Sequence, residues 1–231
     1  MKRAQLFLMH FAGGNAYSFA SMASSLNEFD IIPLELPGRG KRSKEPLLKE
    51  FDLAAFDLYR QISERLTSGR FMIYGHSMGA YLTVKVSAML EKERKYPHCL
   101  FVSGNPGPGV GKRTCTYRME QSEFIEELKK IGGISAEALA NKELIDYYEP
   151  ILRADFEIVE KNEIELDRVN APLFAMMGDE EADVEKISNW ARFSAGQFNF
   201  KILSGGHFFI FNHPVEISSI IKGHYDSLTL Q

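Results

Sequence analysis

Short apolar runs alternate along the chain with longer segments in which apolar positions recur every three to four residues. The first pattern predicts buried strands and the second predicts amphipathic helices. The runs LFLM and LFAMM contain no polar position, which is typical of strands covered on both faces of a sheet. Strands are predicted at residues 5–9, 31–36, 71–74, 100–103, 173–177 and 200–203. Helices are predicted at residues 17–26, 52–67, 77–90, 184–193 and 215–222.

This alternation predicts an α/β fold with a mostly parallel sheet and helices on both faces. One segment, at about residues 107–163, interrupts the alternation of strands and helices because it lacks a good strand pattern. It contains two helical patterns separated by Gly132 and Gly133, a natural helix stop. A helical insertion at this place in an α/β sheet commonly covers the active site, so we expect a lid; a structural decoration is the alternative. The expected organisation is a single domain spanning residues 1–231.

The strongest chemical signal is the pentapeptide Gly-His-Ser-Met-Gly at residues 75–79. A hydrophobic strand precedes it and a helix follows it, which is the context of a nucleophile elbow. The two glycines are expected because flanking side chains would clash in such a strained turn. The pattern therefore predicts an α/β-hydrolase fold with Ser77 as the nucleophile, while a simple helix N-cap is the alternative.

A serine nucleophile needs a base, and in this fold the chain order is serine, acid, histidine. His207 follows the last predicted strand in a glycine turn, so it is the predicted base, ahead of His213. Asp179 stands directly after the strand at 173–177 and is the predicted acid. Asp183 is the alternative, although it fits better as the N-cap of the next helix.

An oxyanion hole requires two backbone donors. The N–H of Met78, directly after the serine, is the first predicted donor. The second is expected from the glycine loop after the first strand, where Ala12 is preferred and Phe11 is the runner-up. His10 and His76 are interpreted as structural residues that flank the site.

Several motifs resemble those of the type II thioesterases of nonribosomal peptide and polyketide assembly lines, over almost the whole chain. They are HFAGG at 10–14, LPGRG at 36–40, GHSMGA at 75–80, SEFIEELKKIGG at 122–133, LRADFEIVE at 152–160 and GGHFFI at 205–210. The two segments in the helical insertion separate this family from lipases and general esterases. The chain departs from the family pattern at His10 and Glu180, where proline is common, and at Gly178, where aspartate is common. The family's acid precedes a tryptophan, here Trp190, and this spacing suits Asp179.

The resemblance implies hydrolysis of acyl or aminoacyl thioesters on the phosphopantetheine arm of acyl or peptidyl carrier proteins. It implies no cofactor of this chain's own and a monomer. Apolar residues of the insertion and the first loop are candidates to bind the acyl group: Phe11, Phe124, Leu128 and Tyr148. Two basic clusters, residues 41–44 and 112–118, are candidate docking sites for a carrier protein. A small-molecule carboxylesterase or acyltransferase is the alternative, and a non-catalytic binding protein is a more distant one.

Composition excludes several other classes. The formal net charge of −4 argues against nucleic acid as a partner, because phosphate binding favours a basic face. The apolar runs are too short for a transmembrane helix. The two cysteines, Cys99 and Cys115, predict a reduced cytoplasmic location without a disulfide framework. Cysteines and histidines form no zinc-type grouping, so no metal is expected.

Overall fold

The computed structural model describes residues 3–111 and 114–229, with side chains as far as residue 227. Its strands form one six-stranded sheet in the order β2-β1-β3-β4-β5-β6, and every neighbouring pair is parallel. The strands are β1 (Gln5–Met9), β2 (Asp30–Pro33), β3 (Phe71–His76), β4 (Leu100–Ser103), β5 (Leu173–Gly178) and β6 (Phe198–Leu203). The predicted fold class is confirmed.

Helices cover both faces of this sheet. The α-helices are α1 (Ala20–Ala23), α2 (Phe51–Arg65), α3 (Met78–Lys92), α4 (Gln121–Ile131), α5 (Ala136–Ala140), α6 (Lys142–Glu160) and α7 (Pro214–Thr229), of which α4, α5 and α6 belong to the insertion. Alternate residues of a strand point to opposite faces. Phe7 and Met9 of β1 therefore pack in the cluster that contains α2 and α3, whereas Leu6 and Leu8 pack in the cluster of α1 and α7. Burial on both faces explains why the central strands β1, β3, β4 and β5 are largely apolar without alternation.

Two predicted helices differ from the observed ones. The helix expected at 17–26 is reduced to α1, because the flanking residues form turns closed by i→i+3 hydrogen bonds, such as those from Ser18 to Asn15 and from Leu26 to Ala23. The segment Val184–Phe193 is helical as expected, but as a 3-10 helix that begins after Asp183 in a left-handed conformation.

Among its described residues, the helical insertion forms three α-helices, where the sequence showed two helical patterns. Asn141 ends α5 and caps α6 by accepting a hydrogen bond from the Leu144 N–H, so the second predicted pattern is divided there. The insertion has a small apolar core of its own, made by Phe124, Leu128, Leu139, Ile145 and Leu152. Among the described residues, no helix is both long and apolar enough to cross a membrane.

Candidate active site

Ser77 occupies a strained turn between β3 and α3. Its backbone lies at φ 56° and ψ −116°, which is a rare conformation for a residue with a side chain. A Cβ on Gly75 would collide with the backbone of Gly79, and a Cβ on Gly79 would collide with the Met9 carbonyl. The glycines therefore let the turn pack against its own helix and against β1. This is the geometry predicted for a nucleophile elbow.

His207 lies between Ser77 and a carboxylate. Its Nε2 is 3.0 Å from the Ser77 Oγ, and its Nδ1 is 2.8 Å from the Glu181 Oε2. The Glu181 side chain is only 6% exposed, and its other oxygen accepts a hydrogen bond of 2.8 Å from the Gly178 N–H. Serine, imidazole and carboxylate thus form one hydrogen-bonded line, as a catalytic triad requires.

The structure overturns the predicted contact between Asp179 and His207. The Asp179 N–H still bonds to the Leu203 carbonyl, so this residue continues the pairing of β5 with β6. Its exposed side chain accepts a hydrogen bond from the Gly205 N–H instead of reaching the imidazole. The alternative, Asp183, forms an ion pair with Lys186. The backbone reverses direction after Asp179, and this turn brings Glu181 back beneath the end of β5.

A cavity of about 830 Å³ opens above Ser77. Helices of the insertion form much of its wall, and three of the predicted acyl-binding residues, Phe11, Leu128 and Tyr148, line it. Phe124 does not, which corrects the prediction. Its ring is buried inside the insertion, edge-on to Phe156 and with the Arg153 guanidinium 4.3 Å from its centroid.

The two residues predicted to supply the oxyanion hole, Ala12 and Met78, also line this cavity beside Ser77. Met78 is the first residue of α3, so its N–H belongs to the electropositive end of that helix. Within the described parts of the chain, no group of three or more His, Cys, Asp or Glu side chains is arranged to hold a metal ion.

A buried ion pair joins the insertion to two loops of the main sheet. The Arg39 guanidinium donates to both carboxylate oxygens of Asp155 in α6, at 2.6 and 2.7 Å, and the side chains are 4% and 0% exposed. The same carboxylate accepts a 2.7 Å hydrogen bond from the Gly13 N–H. Sequence reasoning missed this pair, although both residues lie in motifs that carry the family resemblance.

A second polar cluster lies behind the imidazole of His207. His76 is fully buried, its ring is 5.0 Å from that of His207, and its Nδ1 is 2.9 Å from the Ser103 Oγ. Ser103 in turn lies 2.8 Å from the Tyr74 hydroxyl. Burial, together with the neighbouring His207, holds the pKa of His76 well below its usual range. His76 is therefore neutral and adds no charge beside His207.

His10 is buried beneath the loop at residues 10–14. Its Nδ1 lies 2.8 Å from the Phe11 carbonyl oxygen, and the Leu36 N–H donates to its Nε2 at 3.4 Å. These partners specify a neutral ring that carries its proton on Nδ1. Burial and the positive charge of Arg39 lower the pKa of His10 from 6.5 to about 4, against the opposing effects of Asp155, the Phe11 carbonyl and Glu35.

The lowered pKa of His10 predicts an acid-sensitive fold. Below pH 6.5 the unfolded chain binds a proton at residue 10, whereas the folded protein binds it only near pH 4, so falling pH favours unfolding. Between pH 7 and pH 5 the wild type should lose about 2 kcal/mol more of its free energy of unfolding than His10→Asn, which cannot titrate there. Urea unfolding of both proteins at the two pH values measures this difference. Equal losses would contradict it.

The chain matches known proteins over nearly its whole length. Residues 4–225 match the model of the thioesterase domain family. The sequence is 27% identical over 228 residues to the thioesterase PikA5 of Streptomyces venezuelae, covering 95% of this chain and 80% of that protein. It is 27% identical over 221 residues to the gramicidin S biosynthesis protein GrsT of Aneurinibacillus migulanus, covering 93% of this chain and 86% of that protein.

Solved structures agree with the sequence comparison. ClbQ, from the colibactin NRPS/PKS pathway, is similar with a TM-score of 0.91 and 25% identity over 99% of both chains. BorB, the type II thioesterase of the borrelidin biosynthetic cluster, is similar with a TM-score of 0.88 and 25% identity over 97% of this chain and 93% of that one. Because the family model spans most of the chain, this protein belongs to the thioesterase family and is a thioester hydrolase.

Proposed function

We propose that this enzyme hydrolyses acyl or aminoacyl thioesters carried on the phosphopantetheine arm of carrier proteins in nonribosomal peptide or polyketide biosynthesis. Its catalytic residues in this proposal are Ser77, His207 and Glu181. The observation that carries the proposal is the hydrogen-bonded line from Ser77 to Glu181, which opens into a large cavity walled by the insertion. The relatives that are named for biosynthetic pathways support the same substrate class.

The first half-reaction transfers the acyl group to Ser77. The Ser77 Oγ attacks the thioester carbonyl while the His207 Nε2, 3.0 Å away, takes the proton. Glu181 accepts the hydrogen bond from Nδ1–H and stabilises the imidazolium that forms. The N–H groups of Ala12 and Met78 bind the oxyanion. As the tetrahedral intermediate collapses, the C–S bond breaks and His207 returns the proton to the departing thiol.

The second half-reaction releases the acid. His207 removes a proton from a water molecule, which attacks the carbonyl of the acyl-Ser77 ester. The same N–H groups stabilise the second oxyanion, and His207 then protonates the Ser77 Oγ as it leaves. The carrier regains its free thiol in the first half-reaction, so the enzyme clears the arm without consuming a cofactor.

The cavity suits an acyl chain that enters on a long arm. Leu128 on α4 and Leu144 and Tyr148 on α6 give it apolar walls opposite the serine. Because its wall comes largely from the insertion, we infer that the insertion acts as a lid over the acyl group. Such a wall excludes bulk water from the acyl-enzyme and strengthens the polar interactions at the serine.

The first basic cluster offers less free charge for a carrier protein than its sequence suggested. Arg42 donates to both Glu45 and Asp57, so its charge is already paired. Lys112 and Arg113 lie outside the described residues. Arg118 stacks over the neighbouring Tyr117 ring at 5.0 Å. Docking by either cluster stays a prediction, as do the monomeric state and the cytoplasmic location.

The proposed substrate class predicts a preference for carrier-bound thioesters. With the same acyl group, kcat/KM should be at least about 10-fold higher on the phosphopantetheinyl carrier protein than on a p-nitrophenyl ester, because remote binding energy lowers the barrier. Mass spectrometry of the carrier reports loss of the acyl group, and Ser77→Ala provides the blank.

The alternatives predict different results in the same assay. Fast ester cleavage with an untouched carrier would indicate a small-molecule carboxylesterase. Transfer of the acyl group to an added alcohol or amine in place of water would indicate an acyltransferase. Binding of the acyl carrier without turnover by the wild type would indicate a non-catalytic protein.

A further inference from the structure

The loop at residues 10–14 is held by hydrogen bonds that fix the direction of one peptide group. The carbonyl of Phe11 accepts two of them, one from the His10 Nδ1–H at 2.8 Å and one from the Gly14 N–H at 2.9 Å. The second closes a four-residue turn in which Gly13, at φ +75°, takes the third place, as in a type II turn. The Phe11 carbonyl is therefore held towards the buried side of the loop.

The same peptide group contains the proposed oxyanion donor. A peptide unit is planar and trans, so the N–H of Ala12 points away from the carbonyl of Phe11. His10, which is only 2% exposed, lies on the carbonyl side of this group, whereas Ala12 lines the cavity beside Ser77. Fixing the carbonyl towards His10 therefore aims the Ala12 N–H into the cavity.

The next peptide group is held in a different direction. The Gly13 N–H donates to the buried Asp155 carboxylate, so it is not aimed at the acyl group. The Arg39 guanidinium that pairs with Asp155 also donates to the Gly14 carbonyl at 3.3 Å. These bonds hold the far end of the turn, and the His10 ring holds its beginning.

The imidazole is itself fixed by a contact outside the loop. The Leu36 N–H donates to Nε2 at 3.4 Å, which leaves the ring proton on Nδ1, facing Phe11. A Cβ on Gly14 would lie within 3 Å of the His10 Cβ and the Phe11 carbonyl, so the turn also packs closely on this side chain.

We propose that His10 is a positioning residue for catalysis, which orients the Phe11–Ala12 peptide so that the Ala12 N–H faces the developing oxyanion. The inference rests on the oxyanion role proposed for Ala12. It assigns a function to a position at which this chain departs from the proline that is common in the family it resembles. His10 itself touches neither substrate nor Ser77.

Two substitutions of His10 by amide side chains of different length test its two hydrogen bonds separately. In His10→Asn the side-chain NH₂ superimposes on Nδ1 and keeps the bond to the Phe11 carbonyl, but loses the contact with Leu36. In His10→Gln the amide reaches the place of Nε2 and keeps the contact with Leu36, but loses the bond to Phe11. His10→Leu fills similar space without either bond.

The expected result is rescue by asparagine alone. Removing one oxyanion donor typically costs about 10²–10³ in kcat, and a misaligned donor should cost at least about 10-fold. His10→Gln and His10→Leu should therefore lose at least about 10-fold in kcat with KM changed less than about 2-fold, whereas His10→Asn should stay within about 3-fold of the wild type. The rates are measured on a p-nitrophenyl ester and divided by the enzyme concentration from active-site titration, so that only folded enzyme contributes to kcat.

A transition-state mimic gives a second readout. An alkyl trifluoromethyl ketone forms a hemiketal oxyanion with Ser77, so its inhibition constant should rise in the glutamine and leucine variants by the same factor as kcat falls. Equal loss in all three variants, no loss in any, or a loss confined to KM would overturn the role of His10. These assays need no carrier protein. An untouched carrier would therefore refute the proposed substrate class and leave the test of His10 intact.

Discussion

Glu181→Gln is expected to lower kcat by about 10⁴-fold, whereas Asp179→Asn should change it by less than about 3-fold. The glutamine is nearly the same size as the glutamate, but the Gly178 N–H requires an acceptor at the position of Oε1. The amide oxygen must therefore face Gly178, and the NH₂ group faces the His207 Nδ1. His207 then accepts at Nδ1 and carries its proton on Nε2, where it cannot take the proton of Ser77.

Asp179→Asn is the matched control because it makes the same chemical change two residues away. The asparagine keeps an oxygen that accepts from the Gly205 N–H, which is the contact that the aspartate makes. The two variants are compared by their steady-state rates on one acyl substrate, and Ser77→Ala gives the background rate. A greater loss in Asp179→Asn than in Glu181→Gln would return the acid to Asp179 and would mean that the turn after β5 rearranges during catalysis.

The places of Ser77 and His207 in the structure could be predicted because local sequence determines them. The glycines of the elbow are required by contacts within a few residues of Ser77 and with β1. His207 follows the last strand in a glycine turn, and in a parallel sheet the end of that strand lies at the same edge of the sheet as the elbow, with β4 and β5 between them. Short-range turn chemistry and strand order are both readable from the pattern of the chain.

The carboxylate that contacts His207 could not be chosen in the same way. Three acidic residues follow β5 in succession, and each stands at a plausible distance from His207 along the chain. The choice depends on a backbone reversal. The Asp179 N–H bonds to Leu203 at the end of β6, the Glu180 N–H bonds to Gly205 in the loop after it, and the Gly178 N–H bonds to the Glu181 side chain within the turn. Sequence alone does not encode such contacts in a local pattern.

Phe124 shows the same limit for the cavity wall. The helical pattern of α4 places Phe124 and Leu128 on one face of the helix, four residues apart. Both are buried, but only Leu128 reaches the cavity, because Phe156 and Arg153 of α6 enclose the ring of Phe124. Amphipathicity predicts which residues are buried in the insertion, and the packing of α6 decides which of them face the cavity.

The Arg39–Asp155 pair spans 116 positions of the chain, and Asp155 links the insertion to the loop beside Ser77 through the Gly13 N–H. It joins three segments, namely the loop after β2, the loop after β1 and α6, and both charged side chains are shielded from solvent. The site and the helices that cover it therefore depend on one another for stability. A substitution at Asp155 in α6 should therefore alter the conformation of the turn that contains Ala12.

Asp155→Ala is accordingly expected to lower the free energy of unfolding by about 3–5 kcal/mol, the usual cost of removing one partner from a buried pair. The Arg39 guanidinium would be left buried without its counter-charge, and the Gly13 N–H would lose its acceptor. Asp167→Ala is the matched control, because Asp167 pairs with Lys92 at 3.4 Å and both side chains are more than half exposed. Its change should stay within about 0.5 kcal/mol. Urea unfolding at pH 7 measures both variants.

The double variant Arg39→Met/Asp155→Leu tests whether the loss of stability in Asp155→Ala comes from the buried, unpaired charge of Arg39. With both charges replaced by apolar groups of similar volume, most of the loss in Asp155→Ala should be recovered, because neither partner is left buried and unpaired. The remaining loss should reflect the hydrogen bond from Gly13 and should appear in kcat as well as in stability, since that bond holds the turn beside Ser77. If the double variant were as unstable as Asp155→Ala, desolvation of Arg39 would not be the cause, and the geometry of the turn itself would account for the stability of this region.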